Sequence, residues 1–153
     1  MGKGCLSQWW PAALTVDGHS YPSAEHFMIA GKASLFGDAQ TAARIRQAPH
    51  PGAAKALGRQ VRGFDELLWA EHRVELVVTG NLAKFSQHAG LREFLLGTGD
   101  QVIVEASPRD PIWGIGLAAN DQRARSPEQW PGLNLLGFAL MEVRQRLQAQ
   151  AGT

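Results

Sequence analysis

The chain has 153 residues, 15 Lys+Arg against 14 Asp+Glu, and 44% hydrophobic and 19% charged residues. This length gives one domain as the default, with enough chain to bury a core. The balance excludes a disordered chain and argues against a dedicated nucleic-acid binder, which usually carries more positive charge.

Cys5 is the single cysteine, so an intramolecular disulfide and a thiolate metal cluster are both excluded, and a reducing cytosol suits it. No stretch approaches the roughly 20 apolar residues of a membrane helix. The N-terminus is small and polar with no long apolar run behind it, so no signal peptide is expected and the location expected is cytoplasmic. Five tryptophans and 17 glycines are many for this length. Tryptophans pack and also stack on rings, and glycines let backbone turn tightly or approach a ligand.

In chain order, residues 5–22 read as strand and turn. Leu14-Thr15-Val16, Asp17-Gly18 and Ser20-Tyr21 predict a hairpin. Ser23 is placed to cap a helix from Ala24 to about Phe36, stopped by Gly37. A second helix is expected from Asp38 to Gln47, ended by Pro49 and Pro51, and a third from Gly52 to Val61. A fourth runs from Asp65 to Asn81, with Phe64, Leu67, Leu68, Glu71, Val74 and Val78 at helical spacing. Short helices follow over 82–88 and 90–97. Val102-Ile103-Val104 is the best later strand, being short and β-branched. Residues 107–133, rich in Pro, Gly and Asn, form a long loop, and such loops are often functional. A last helix, capped by Asn134, runs to about Gln148 with Leu136, Leu140, Val143 and Leu147 on one stripe. The chain reads as mainly α, a single compact helical domain with a few short β-strands.

Three clusters carry chemistry. The first helix is apolar nearly all round through Phe27, Met28, Ile29, Ala30, Ala33 and Leu35, yet holds Glu25 and Lys32 on one face. Seven residues at 1.5 Å each separate their Cα atoms by about 10 Å. Opposite charges so placed either embrace a bound molecule or reach solvent and other partners. The second cluster, Glu105-Ala106-Ser107-Pro108-Arg109-Asp110-Pro111-Ile112-Trp113-Gly114-Ile115-Gly116, brings carboxylates, a hydroxyl and a ring to a glycine turn. It suits a sugar–base–phosphate ligand, or is a Pro-bounded turn around a core tryptophan. The third is Lys55, Arg59 and Arg62 at i, i+4 and i+7, after Arg44 and Arg46: a phosphate-binding stripe or a solvated face. Trp9-Trp10-Pro11 is an aromatic shelf or a core anchor. His19, His26, His50, His72 and His88 show no metal spacing. Phosphate-loop, dinucleotide and nucleophile-elbow motifs are missing, against common nucleotide hydrolases, dehydrogenases and serine hydrolases.

Taken in order, these blocks resemble the NADAR/YbiA-like family over nearly the whole chain. The likeness rests on Leu6-Ser7-Gln8-Trp9-Trp10-Pro11, Tyr21-Pro22-Ser23-Ala24-Glu25-His26-Phe27 with Lys32-Ala33, and Ala54-Lys55-Ala56-Leu57-Gly58-Arg59. It continues through Lys84-Phe85-Ser86-Gln87, Leu95-Leu96-Gly97-Thr98-Gly99, Glu105-Ala106-Ser107-Pro108 with Asp110, Trp113-Gly114-Ile115-Gly116, and Gly132-Leu133-Asn134-Leu135-Leu136-Gly137. Gln8 departs from it, standing where the family usually has Asn.

The resemblance implies a helical domain that cleaves N-glycosidic bonds of ribose. The substrates implied are ribosylamino-pyrimidine 5′-phosphates, the early intermediates of riboflavin synthesis, or ADP-ribosylated guanine in nucleic acid. A module that binds ADP-ribose without turnover uses the same groups. No metal or other cofactor is implied. Glu25 and Asp110 are the expected carboxylates, one at the sugar or water and one handling protons of the leaving base. Lys32 either donates to the leaving group or attacks C1′ as a Schiff-base amine. Trp9 and Trp113 are expected on the base, Arg59 and Lys55 on phosphate, with Gly114 and Gly116 as backbone donors. Gln8, Lys84, Ser107 and Asn134 complete the expected binding set. Glu25, Lys32 and Asp110 are expected to converge on one pocket.

Overall fold

A computed structural model describes residues 2–151. The chain forms two compact units, one up to Gly97 and one from Thr98 onward.

In the first unit a 3-10 turn, Lys3–Leu6, precedes the hairpin of β1 (Leu14–Val16) and β2 (His19–Tyr21). The strands are antiparallel, with Leu14 opposite Tyr21. Asp17 at φ 51° and Gly18 at φ 81° both occupy the left-handed region, which a tight two-residue hairpin of this hand requires.

Helix α1 (Ala24–Leu35) starts at Ser23, whose hydroxyl accepts from the His26 N–H. Residues Ala24 through Ala30 and Ala33 are all buried. It packs against α2 (Ala39–Arg46), α3 (Pro51–Gly58) and α4 (Glu66–Gln87). Glycines set those approaches. A Cβ on Gly58 would stand 2.6 Å from Ile29 Cγ2, and one on Gly80 would stand 2.5 Å from Phe27 Cδ1. The His26 ring closes a buried network. A carbonyl can only accept, so Nε2–H donates to the Ala48 carbonyl (3.0 Å) and Nδ1 accepts from the Ser23 hydroxyl (2.7 Å). Burial lowers the His26 pKa, which keeps the ring in that neutral form.

Helix α4 runs 22 residues, through the break expected after Asn81 and over the separate short helix expected at 82–88. Its buried face is Trp69, Val77, Val78, Gly80, Asn81, Lys84 and Phe85. The expected stripe had the wrong phase at the start: Phe64 lies outside the helix, and Leu67 is 78% exposed. Two polar residues on that face, Asn81 and Lys84, bond the segment before the hairpin, as described below. Helix α5 (Ala89–Gly97) closes the unit.

In the second unit, Val102-Ile103-Val104 is not a strand. No neighbouring strand pairs with it; the Asn134 side chain takes the place of a ladder. Residues 107–133 form the expected loop, interrupted by 3-10 turns at Gln122–Arg125 and Pro127–Gln129. Helix α6 (Leu135–Ala151) buries Leu136, Leu140, Val143 and Leu147 as expected. Arg144 Nη1 ties it to the Thr98 hydroxyl and the Gln101 carbonyl, each at 2.8 Å. Asn134 is not a conventional cap. It sits at φ 53°, and its amide bonds backbone elsewhere.

Candidate active site

Glu25 lies in the first turn of α1 and is only 6% exposed. Unpaired N–H groups at a helix start favour a carboxylate there. Its own N–H donates to the Gln8 carbonyl at 3.0 Å, so the segment before the hairpin completes the helix end. That segment is gripped from α4. Lys84 Nζ donates to the carbonyls of Cys5 (2.7 Å) and Ser7 (2.9 Å). Asn81 Nδ2 donates to Gln8 Oε1 (2.7 Å) and to the Val77 carbonyl (2.8 Å). Burial pushes the Lys84 ammonium down to about 8 and raises the Cys5 thiol.

Lys84 therefore serves the fold. It is fully buried, and its Nζ bonds two backbone carbonyls. Gln8 is buried beside Glu25, with Oε1 held by Asn81 and Nε2 without a partner. Trp9 is 49% exposed, open to stack on a flat ring.

Lys32, at the other end of α1, donates from Nζ to the Gly58 carbonyl at 3.2 Å. The same Nζ lies 4.7 Å from the Phe64 ring centroid and 5.8 Å from that of Trp69. Burial lowers its pKa, and the Glu66 charge partly opposes this. The cage favours the cation while desolvation favours the amine, so the proton is held loosely.

The basic stripe is not one helix face. Helix α3 ends at Gly58, which puts Arg59 at the cap and Arg62 beyond it. Arg62 is committed to Asp38: its N–H donates to Oδ2 at 3.1 Å and Nη2 to Oδ1 at 3.4 Å. Lys55 and Arg59 are exposed.

In the second unit the 105–116 turn is built on Gly114. A Cβ there would fall 2.9 Å from the carbonyl oxygens of both Glu105 and Asp110. Asp110 Oδ1 accepts from the N–H groups of Ile112 (3.0 Å) and Trp113 (2.9 Å), which fixes its carboxylate. Burial raises the Glu105 pKa, and the Asp110 charge raises it further. The Glu105 position is set by Asn134, whose Oδ1 accepts from the Glu105 N–H and whose Nδ2 donates to the Ile103 carbonyl. Asn134 is fully buried, with both amide atoms bonded to backbone, so it shapes the turn. Gly114 N–H is likewise spent, on the Asp110 carbonyl, and is not a free donor as expected. Gly116 sits at φ 75°, and among the described residues its N–H makes no backbone bond. Ser107 and Trp113 are part-buried on the same turn.

Sequence reasoning missed two residues. Glu105 was visible in the motif but its neighbour Asp110 drew the assignment. Asn81 is expected only as the last residue of the fourth helix. Among the described residues, no group of three His, Cys, Asp or Glu is placed to hold a metal ion, and no helix is long and apolar enough to cross a membrane.

Comparison with known proteins gives the class, an N-glycosidase. Residues 1–148 match the NADAR domain family, and the chain belongs to it. N-glycosidase R617 of Acanthamoeba polyphaga mimivirus is 44% identical over 153 residues, 96% of this chain and 89% of that protein. N-glycosidase YbiA of Escherichia coli is 33% identical over 138 residues, covering 90% and 76%. The NMR structure of E. coli YbiA matches with a TM-score of 0.79 at 30% identity, over 97% of this chain and 80% of that one. Riboflavin biosynthesis protein VVA0006 of Vibrio vulnificus is 32% identical over 148 residues, 97% of this chain but 36% of that protein.

Proposed function

We propose that the protein hydrolyses the bond between ribose C1′ and a base nitrogen, with ribosylamino-pyrimidine 5′-phosphates of riboflavin synthesis as substrates. The carrying observation is the Glu105–Asp110 turn, where one carboxyl is pushed towards its protonated form beside a second, backbone-fixed carboxylate. Carboxyl groups whose environments differ in this way divide acid and base work between them. The name of the Vibrio relative supports the pyrimidine substrate. The family match runs through both units, and we treat them as one domain.

In this reading Glu105 gives its proton to the departing nitrogen, which keeps the electron pair of the C1′–N bond. Water supplies oxygen to C1′ and loses its proton to Asp110. Glu25 offsets the positive charge that builds on the sugar. From the first unit we infer that Trp9 offers a stacking ring, Gln8 Nε2 a donor and the exposed Lys55 and Arg59 charges for phosphate; from the second, that Trp113 offers a ring and Ser107 and Gly116 offer donors. One observation favours a second route for Lys32. Its lowered pKa frees the amine to attack C1′ of the opened sugar, expel the base and be released by water.

The test is incubation with ribosylamino-pyrimidine 5′-phosphate and, separately, with ADP-ribosylated guanosine, read by mass spectrometry. Release of ribose 5-phosphate from the first supports the proposal. Release of ADP-ribose only, from the second, moves the substrate to modified nucleic acid. Release from neither, with tight ADP-ribose binding, makes the protein a binding module.

A further inference from the structure

The proposed reaction uses Glu25, and the segment that receives the Glu25 N–H is held from another helix. Lys84 and Asn81 sit three residues apart on α4, on one face. Both are fully buried, and between them they make three hydrogen bonds of 2.7–2.9 Å to the Cys5–Gln8 segment. A buried ammonium resting on carbonyls alone is a costly way to hold a loop. A buried amide whose Oδ1 has no partner, as in Asn81, is a second cost. Both costs fall on the segment whose last carbonyl receives the Glu25 N–H. The side chains satisfy no other described element, Val77 on their own helix excepted. Gln8 is the residue whose side chain Asn81 grips.

We propose that Asn81 and Lys84 are positioning residues for the reaction, acting through the Cys5–Gln8 strap to set the height and rotation of Glu25 at the start of α1. This rests on the assignment of Glu25 to catalysis. Displacement by about 1 Å is enough to cost on the order of 100-fold in rate.

The experiment compares wild type with Asn81→Leu and with the double variant Gln8→Met/Asn81→Leu, which replaces both amides by apolar groups of similar size and so keeps the fold. Glu25 amide exchange, followed by NMR, should speed up about 10-fold in both variants while the Phe27 and Met28 amides do not change. With substrate, kcat of Asn81→Leu, which leaves Gln8 Nε2 in place, should fall about 10- to 100-fold and its KM should stay within about twofold. An unchanged Glu25 amide, or a loss confined to KM, overturns the positioning role. Failure of wild type to turn over either substrate overturns the N-ribosyl reading instead, and the amide exchange then decides the positioning by itself.

Discussion

Lys32 Nζ stands 4.7 Å from the centre of the Phe64 ring, and Phe64 is itself 41% exposed. An amine whose pKa burial lowers thus sits against an aromatic side chain that solvent can reach. With its pKa lowered by burial, Lys32 carries more free amine near neutrality than an ordinary lysine. Borohydride added during turnover should leave a reduced sugar adduct on Lys32, found by peptide mass spectrometry. The adduct should be missing in Lys32→Arg, which keeps the cation but not the nucleophile. No adduct in wild type during active turnover removes the amine route and leaves hydrolysis by water.

The raised Glu105 pKa sets a pH signature. A carboxyl with a higher pKa folded than unfolded binds more protons in the folded state between those two values. Its favourable contribution is complete below the ordinary glutamate value and is lost as pH rises through the folded one. Glu105→Gln has no such loss. The melting temperature of the variant relative to wild type should therefore climb from pH 4 to pH 7, while kcat falls about 100-fold. A flat difference across that range contradicts the protonated-acid assignment.

Asn134→Gly preserves the left-handed backbone but removes both side-chain bonds to residues 103 and 105. It should destabilise by about 1–3 kcal/mol, the cost of buried backbone groups left unpaired, and lower kcat through Glu105. Chemical denaturation measures the first and kinetics the second. Full stability with weakened substrate binding would return Asn134 to the ligand.

Gly80→Ala gains helix propensity yet drives a methyl to 2.5 Å from Phe27 Cδ1. Overpacking should win by about 1–3 kcal/mol. Phe27→Leu in the same chain should restore part of it. Denaturation of the two variants decides, and a more stable Gly80→Ala would show that α1 and α4 have room to separate.

Local chemistry made much of the fold legible. Asp17-Gly18 announces its hairpin, Ser23 and Gly37 bound α1, and the stripe of α6 is regular in sequence because it is regular in burial. What stayed hidden depends on partners distant in the chain. Asn81 reads as a helix end until Gln8, 73 residues away, accepts its amide. Val102-Ile103-Val104 has the composition of a strand, and only the absent neighbour and the Asn134 side chain say otherwise. Lys84 and Asn134, both placed at the ligand by motif, turn out to bond backbone, since a motif marks what a family keeps and not whether it is kept for substrate or for shape. The same blindness passed over Glu105, whose altered acidity arises from burial and from Asp110.

The central claim is cleavage of a ribose C1′–N bond by carboxyl groups of this chain. Its most direct measurement is turnover of ribosylamino-pyrimidine 5′-phosphate in ¹⁸O-labelled water by wild type, Glu25→Gln and Glu105→Gln, with products weighed by mass spectrometry. The account predicts free aminopyrimidine and ribose 5-phosphate labelled at C1 from wild type, and at least about 100-fold less from either variant. Wild-type rates in both variants, or an intact substrate after prolonged incubation with wild type, would contradict it.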